Sequence, residues 1–199
     1  MALRSTLFLV AITPTLLIAG EFNKTLKLGD QAPVWKELPG TDDKKHSLAD
    51  HAGKEFVVVV FTCNSCACSE EYEDRIIAFA KKYEGKVALV AINVNTIADD
   101  RLDAMKKRAK KKKFTFEYLY DESQKSAKDY GATYTPEFFV LNKERRIAYM
   151  GAFDDKTNLP DVKEKYLEPA IEALLKGEKP VKEETAARGC MIRWKRIRD

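Results

Sequence analysis

Residues 55–66 read EFVVVVFTCNSC, and this stretch decides the fold of the chain. The apolar, largely β-branched run at 56–61 is typical of a strand buried on both faces in the middle of a sheet. Cys63 and Cys66 follow at once, and apolar side chains then recur at helical spacing over residues 72–83. The stretch therefore predicts a strand that runs into a helix, with two cysteines at the junction.

The segments on either side continue this alternation of strands and helices. Short apolar runs predict strands at 86–95 and 116–121, and apolar positions at helical spacing predict helices at 66–82, 99–112, 123–130 and 160–176. Residues 135–153 predict two antiparallel strands joined by a turn at 142–145. Strands that alternate with helices in this way are typical of an α/β domain.

One domain accounts for most of the chain. The whole chain has 199 residues, of which 45% are hydrophobic, and this is enough for one well-buried core. We assign residues 21–176 to this domain and residues 177–199, which carry Cys190 and are rich in charge, to a C-terminal tail. The net charge of +4 is far from the strongly basic balance of nucleic-acid-binding proteins, so nucleic acid is not an expected partner.

The first twenty residues have the layout of a signal peptide. Arg4 precedes sixteen uncharged residues, 5–20, and the small residues Ala19 and Gly20 suit a signal peptidase. The apolar stretch is shorter than the ~20 residues that span a bilayer. We therefore expect cleavage of residues 1–20, a periplasmic or secreted protein and no stable membrane insertion; the alternative is an uncleaved N-terminal anchor. An oxidising compartment would permit disulfides.

Cys63 and Cys66 lie where α/β proteins place their functional sites, at the carboxyl end of a buried strand. The next helix begins here, and its free N–H groups and partial positive charge favour a thiolate. We therefore expect Cys63 to have a lowered pKa and to be the attacking sulfur, with Cys66 resolving the mixed disulfide. A C-x-x-C motif at a strand-to-helix junction in an exported chain indicates thiol-disulfide chemistry.

Several segments resemble the thioredoxin fold, and specifically its redoxin branch, which is related to the alkyl hydroperoxide reductase/thiol-specific antioxidant superfamily. The matching segments are LGDQAPVW (28–35), HSLADHAGKEFVVVVF (46–61), TCNSC (62–66), TYTPEFFVL (133–141) and GCMIRW (189–194). TCNSC and GCMIRW are most similar to a peroxiredoxin-like subgroup with a Thr-Cys-Asn-x-Cys motif. The resemblance spans roughly residues 25–195 and implies an α/β thioredoxin-like fold, a central mixed β-sheet flanked by helices.

The resemblance also implies which residues border the dithiol. The threonine-proline loop of the family carries a cis-proline that faces the two cysteines, and Thr135 and Pro136 occupy that position here. Thr62, Asn64 and Ser65 surround the cysteines in the motif itself. These five residues are therefore the expected neighbours of the reacting sulfurs.

The chain departs from the peroxiredoxin pattern at the position that would hold a peroxide. A peroxiredoxin would show Pro-x-x-x-Thr-x-x-Cys, whereas the threonine offset fails here for both Cys63 and Cys66, and Val60 stands three residues before Cys63. We therefore expect a thiol-disulfide oxidoreductase that exchanges electrons with protein dithiol or disulfide clients and with a redox partner. A peroxiredoxin-like thiol peroxidase is the alternative. Glu137 is expected to be a solvated surface residue, with a role as proton acceptor for Cys66 as the alternative.

The two remaining cysteines, Cys68 and Cys190, leave two alternatives open. With Cys63 and Cys66 paired, Cys68 and Cys190 remain for a second, structural disulfide that ties the tail across the site. In the other alternative, Cys190 lies on a mobile resolving arm that relays electrons from Cys66 to a partner, as tail cysteines do in some peroxiredoxins.

No metal site and no cofactor are expected. Cys68 would add a third thiolate for zinc or copper(I), which makes a metal carrier a further alternative, but such sites usually have a fourth ligand or a nearby histidine. His46 and His51 both precede the central strand, and packing or surface roles are expected for them.

Overall fold

A computed structural model describes residues 20–196 of the protein. The predicted signal peptide lies outside the described residues except for Gly20. Within residues 20–196, none of the helices is both long enough and apolar enough to cross a membrane.

The described chain forms nine strands and four α-helices. The strands are β1 (Leu38–Pro39), β2 (Lys45–His46), β3 (Phe56–Thr62), β4 (Val87–Asn93), β5 (Glu117–Tyr120), β6 (Tyr134–Thr135), β7 (Glu137–Leu141), β8 (Ile147–Gly151) and β9 (Cys190–Met191). The helices are α1 (Ala67–Lys82), α2 (Leu102–Lys112), α3 (Lys125–Tyr130) and α4 (Leu167–Leu175), and short 3-10 turns lie at Leu48–His51, Ala98–Asp100 and Leu159–Asp161.

Five strands make one mixed sheet in the order β5-β4-β3-β7-β8. β3 is parallel to β4, and β4 is parallel to β5. On its other edge β3 is antiparallel to β7, which is in turn antiparallel to β8. The expected thioredoxin-like fold, a central mixed sheet flanked by helices, is confirmed.

The central strand β3 contributes to a hydrophobic core on each face of the sheet. Val57, Val59 and Phe61 face one core, while Val58 and Val60 face the other. All five side chains are fully buried. Burying a side chain of this size contributes about 1.5 to 3 kcal/mol, so the apolar run at 56–61 stabilises both layers at once.

The last helix begins later than its apolar periodicity predicts. α4 starts at Leu167, whereas the sequence predicts a helix from 160. Residues 163–166 instead run alongside the segment after β8: the Asp155 carboxylate accepts the N–H groups of Lys163 and Glu164, and Phe153 O accepts that of Tyr166. These long-range hydrogen bonds replace the first turns of the predicted helix.

The C-terminal tail is bound to the domain along most of its described length. Met150 in β8 exchanges backbone hydrogen bonds with Glu183 and Thr185. Further on, β9 pairs antiparallel with β6. Ile192 then enters the core, with 4% of its surface exposed. The segment that carries Cys190 is therefore integrated into the fold.

Candidate active site

Cys63 lies directly after β3, at the carboxyl end of the central strand. Its side chain is only 3% exposed. Its Sγ is 3.3 Å from Thr135 Oγ1 and 3.6 Å from Ser69 Oγ, and Ser69 is the third residue of α1. The structure thus places Cys63 in a buried niche with two hydroxyl groups.

Cys66 is joined by a disulfide to Cys190 in the tail, with the two Cα atoms 6.4 Å apart. Cys63 and Cys68 are free. The expected structural pair Cys68–Cys190 is therefore not formed, and the tail cysteine is bonded to the C-x-x-C motif, which is the contact that the relay alternative requires. The register of β9 explains this pairing: it sets Cys190 opposite Thr135, whose carbonyl oxygen is 3.6 Å from Cys66 Sγ.

The expected lowered pKa of Cys63 is wrong for this oxidised structure. Burial raises the pKa of the Cys63 thiol, and the hydroxyl groups of Thr135 and Ser69 only partly oppose that effect. The expectation that Cys63 stands at the start of this helix is also wrong, because Cys66 is the N-cap residue of α1 and Cys63 lies three residues earlier. The positive end of the helix therefore acts on Cys66 more directly than on Cys63.

Thr135 links Cys63 to the tail. The Thr135–Pro136 peptide is cis, as the resemblance implies. The Thr135 hydroxyl lies 3.3 Å from both Cys190 O, to which it can donate, and the Cys63 Sγ. While the tail is bound, Cys190 O competes with the Cys63 sulfur for the single hydroxyl proton; with the tail released, the hydroxyl is free to donate to a Cys63 thiolate.

Asn64 and Ser65, the two residues between the cysteines, are held by one buried carboxylate. Asp100 Oδ1 accepts the Asn64 N–H at 2.6 Å and the Ser65 N–H at 3.2 Å, and Oδ2 accepts the Ser65 hydroxyl at 2.6 Å. The side chains of Asn93 and Asn95 donate to the same carboxylate. Five donors therefore converge on Asp100 and set the conformation of the C-x-x-C loop.

Sequence reasoning did not identify Asp100, although a signal exists. Asp100 lies in the loop that follows β4, and loops after adjacent parallel strands meet at the same edge of a sheet. Asn64 receives further support at this edge, because its Oδ1 accepts the hydroxyl of Tyr118 at 2.9 Å.

Thr62 ends β3 and lines a small cavity beside Cys63. Glu73 and Tyr118 also line this cavity, whose volume is about 10 Å³. A cavity needs roughly 10–15 Å³ to hold one water molecule, so there is little room for an oxidant next to the sulfur in this structure.

Glu137 is not the solvated residue that the sequence predicts. It is 5% exposed, and its Oε2 accepts the backbone N–H groups of Thr133 at 2.8 Å and Tyr134 at 3.0 Å. Burial raises the pKa of Glu137, and these two hydrogen bonds oppose the shift. Its carboxylate thus holds the strand just before the cis peptide.

Comparisons with known proteins agree with this architecture. An uncharacterized conserved protein from Geobacillus kaustophilus is 31% identical, with a TM-score of 0.81, and the match covers 86% of this chain and 94% of that one. A hypothetical protein from Sinorhizobium meliloti 1021 is 32% identical, with a TM-score of 0.79 and coverages of 85% and 96%. A thiol-disulfide oxidoreductase from Bacteroides fragilis NCTC 9343 shares the fold at 18% identity, with a TM-score of 0.55 and coverages of 74% and 98%.

The family is shown by a match that includes both cysteines of the motif and the cis-proline loop. No curated protein matches the sequence. The family model described as Redoxin matches residues 27–166, which is well over half of the chain. The protein therefore belongs to the Redoxin family, within the thioredoxin-like fold.

Proposed function

We propose that the protein is a thiol-disulfide oxidoreductase that exchanges electrons with protein dithiols through Cys63, Cys66 and Cys190. In this proposal Cys66 is the shared sulfur, able to pair with Cys63 within the C-x-x-C motif or with Cys190 in the tail. The single observation that carries it is the Cys66–Cys190 disulfide beside the free, hydroxyl-bound Cys63.

The internal step is a disulfide exchange that consumes no oxidant. The Cys63 thiolate attacks Cys66 Sγ, a Cys63–Cys66 bond forms, the Cys66–Cys190 bond breaks and Cys190 leaves as a thiolate. The proton lost by Cys63 is available to Cys190. Release of Cys190 would remove the contact that engages the Thr135 hydroxyl and would expose the motif disulfide.

A client dithiol then closes the cycle. One client thiolate attacks the motif disulfide, and the second client thiol resolves the mixed disulfide, so the client becomes a disulfide and Cys63 and Cys66 gain two electrons and two protons. A redox partner reverses these steps. Exchange is favoured over peroxide reduction because the threonine offset of a peroxidase is missing and the cavity beside Cys63 is about one water in size.

We further propose that the exchange takes place in the periplasm or outside the cell. The signal-like layout of residues 1–20 supports this, as does a disulfide between residues far apart in the chain. N-terminal sequencing of the protein from cell fractions tests it. A mature protein beginning near residue 21 in the exported fraction is expected, and an intact N-terminus in the cytoplasm would contradict it.

Single cysteine variants in an insulin-reduction assay, with acid-quenched peptide mapping, test the exchange mechanism. Cys63→Ser and Cys66→Ser should both abolish exchange, and Cys190→Ser should accumulate the Cys63–Cys66 disulfide. Cys68→Ser is the matched control and should exchange at the normal rate. Full activity without Cys63, or oxidation by hydrogen peroxide far faster than that of an unrelated C-x-x-C protein, would overturn the proposal.

A further inference from the structure

Three sulfur atoms meet where the tail crosses the start of α1. The Sγ atoms of Cys66, Cys68 and Cys190 all lie within 4.8 Å of one another. We propose that these three cysteines, once reduced, form a trigonal three-thiolate site for one copper(I) ion.

The spacing of the sulfurs fits such a site. A metal–thiolate bond is about 2.3 Å long, so three sulfurs around one ion in a plane lie roughly 4 Å apart. Opening the Cys66–Cys190 disulfide lets these two sulfurs separate toward that distance, while Cys68 is already within 4.8 Å of both. The site therefore forms with small side-chain movements and without rearranging the sheet.

The donor set selects copper(I) over zinc. Thiolates are soft ligands that suit copper(I), whereas structural zinc sites are almost always four-coordinate. In the part of the chain that the structure describes, no carboxylate or imidazole joins the three sulfurs. The histidines are engaged elsewhere, since His46 and His51 both contact Glu117.

The position of the sulfurs at the surface end of α1 lets a bound metal ion exchange. Cys66 is the N-cap of the 16-residue helix α1 and Cys68 is its second residue, so both lie at the positive end of the helix dipole. Cys66 is buried, while Cys68 and Cys190 are half-buried. The ion would be held at the surface, within reach of a thiol ligand from another molecule.

Loading requires a reductant, and the electrons balance. A dithiol reduces the Cys66–Cys190 bond to two thiols and is itself oxidised to a disulfide. Copper(I) then displaces three protons from the three thiols and remains copper(I). Because the ion occupies Cys66 and Cys190, the loaded protein should not form either disulfide of Cys66.

Copper binding at this site does not depend on the proposed exchange activity, because each of the two uses one cysteine that the other does not. Exchange needs Cys63, which is not a member of the three-sulfur cluster, and does not need Cys68. Cys63→Ser and Cys68→Ser are therefore a matched pair with opposite expected effects.

The test is an anaerobic titration of the reduced full-length protein with copper(I) in competition with bicinchoninate. Wild type and Cys63→Ser should each bind one copper with affinities that agree within about twofold. Loss of a supporting outer-shell residue already weakens metal binding about 10- to 100-fold, so Cys68→Ser and Cys190→Ser should weaken it at least that much. X-ray absorption of the loaded protein should show three sulfur ligands.

Exchange activity of Cys68→Ser, assayed in parallel, reports whether that variant is folded. Equal copper affinity of wild type and Cys68→Ser would overturn the site, as would loss of copper in Cys63→Ser alone. A parallel titration in which zinc(II) displaces the bound copper would overturn the choice of metal. If the wild type does not exchange disulfides but the copper affinities of wild type and variants are as expected, only the proposed function is refuted.

Discussion

Two buried carboxylates near the cysteines have different roles at the scale of single residues. Asp100 accepts hydrogen bonds from the backbone and side chains of the C-x-x-C loop, so its charge is used to hold the loop. Glu137 also accepts two backbone N–H groups, but burial raises its pKa. Ionisation of Glu137 therefore opposes folding.

Asp100→Asn should destabilise the protein and slow exchange. An amide in place of the carboxylate turns one acceptor into a donor that faces the Ser65 hydroxyl or the Asn64 N–H, and an unsatisfied buried donor costs about 1 to 3 kcal/mol. Urea unfolding should show a loss of that size. Asp99→Asn is the control, because only the backbone carbonyl of Asp99 contacts Asn64. Equal stability of the two variants would contradict the role of Asp100.

Glu137→Gln should become increasingly more stable than wild type as the pH rises. The folded-state pKa of Glu137 is above its ordinary value of 4.5, so wild type loses stability as the pH rises from 4.5 through the folded-state pKa. Glutamine keeps an accepting oxygen and does not ionise. Urea unfolding at pH 3.5 to 8 should therefore give equal stabilities at the acid end and a growing advantage for the variant. The exposed control Glu55→Gln should show no such trend, and a parallel curve for Glu137→Gln would refute the assignment.

At the scale of secondary-structure elements, the decisive contact is the pairing of β9 with β6. β9 is two residues long, yet its register places Cys190 opposite Thr135 and leads Ile192 into the core. Gly189 makes the close approach possible, because a Cβ atom there would lie 2.2 Å from Thr135 O.

Gly189→Ala should therefore release the tail from β6. Overpacking typically costs about 1 to 3 kcal/mol, so alkylation of the buried Cys63 should be faster by about 5- to 150-fold. Timed alkylation followed by peptide mapping measures this, alongside reduction of the Cys66–Cys190 bond by dithiothreitol. Gly53→Ala is the control, since a Cβ atom there meets nothing within 4 Å. Unchanged alkylation of Cys63 would show that the tail does not protect it.

At the scale of the whole molecule, one covalent bond connects the N-cap residue of α1 to the C-terminal tail. The Cys66–Cys190 disulfide spans 124 residues and so closes a loop around nearly the whole sheet. Loop closure constrains the unfolded chain more as the loop lengthens, and a loop of this length is worth about 4 to 5 kcal/mol in the chain-entropy account.

Cys190→Ser should accordingly lower the free energy of unfolding of the oxidised protein by about 2 to 5 kcal/mol. Denaturant unfolding under non-reducing conditions measures the loss. The same substitution should have a much smaller effect once both proteins are reduced, and Cys68→Ser should be neutral in either state. A loss of equal size with and without reductant would assign the effect to packing instead of the disulfide.

Local sequence pattern was sufficient to predict the strand that runs into a helix and the order of the main elements, and the family resemblance implied the mixed sheet. The reason is that the apolar run at 56–61 and the helical spacing of apolar residues in α1 can each be recognised within a short segment of sequence. The two cysteines of the motif are visible in the sequence itself, while the cis peptide at Pro136 and the position of Thr135 beside the cysteines were implied by the family resemblance.

Tertiary contacts alone decided which sulfurs are bonded and which charges are buried. Cys190 reaches Cys66 because β9 pairs with β6, a contact between residues more than fifty positions apart, and no local pattern encodes that register. Burial, which depends on the assembled layers, raises the pKa values of Cys63 and Glu137. Convergence of Asp100 on the C-x-x-C loop depends on two adjacent parallel strands ending at one edge, a neighbour relation that exists only after the sheet has formed.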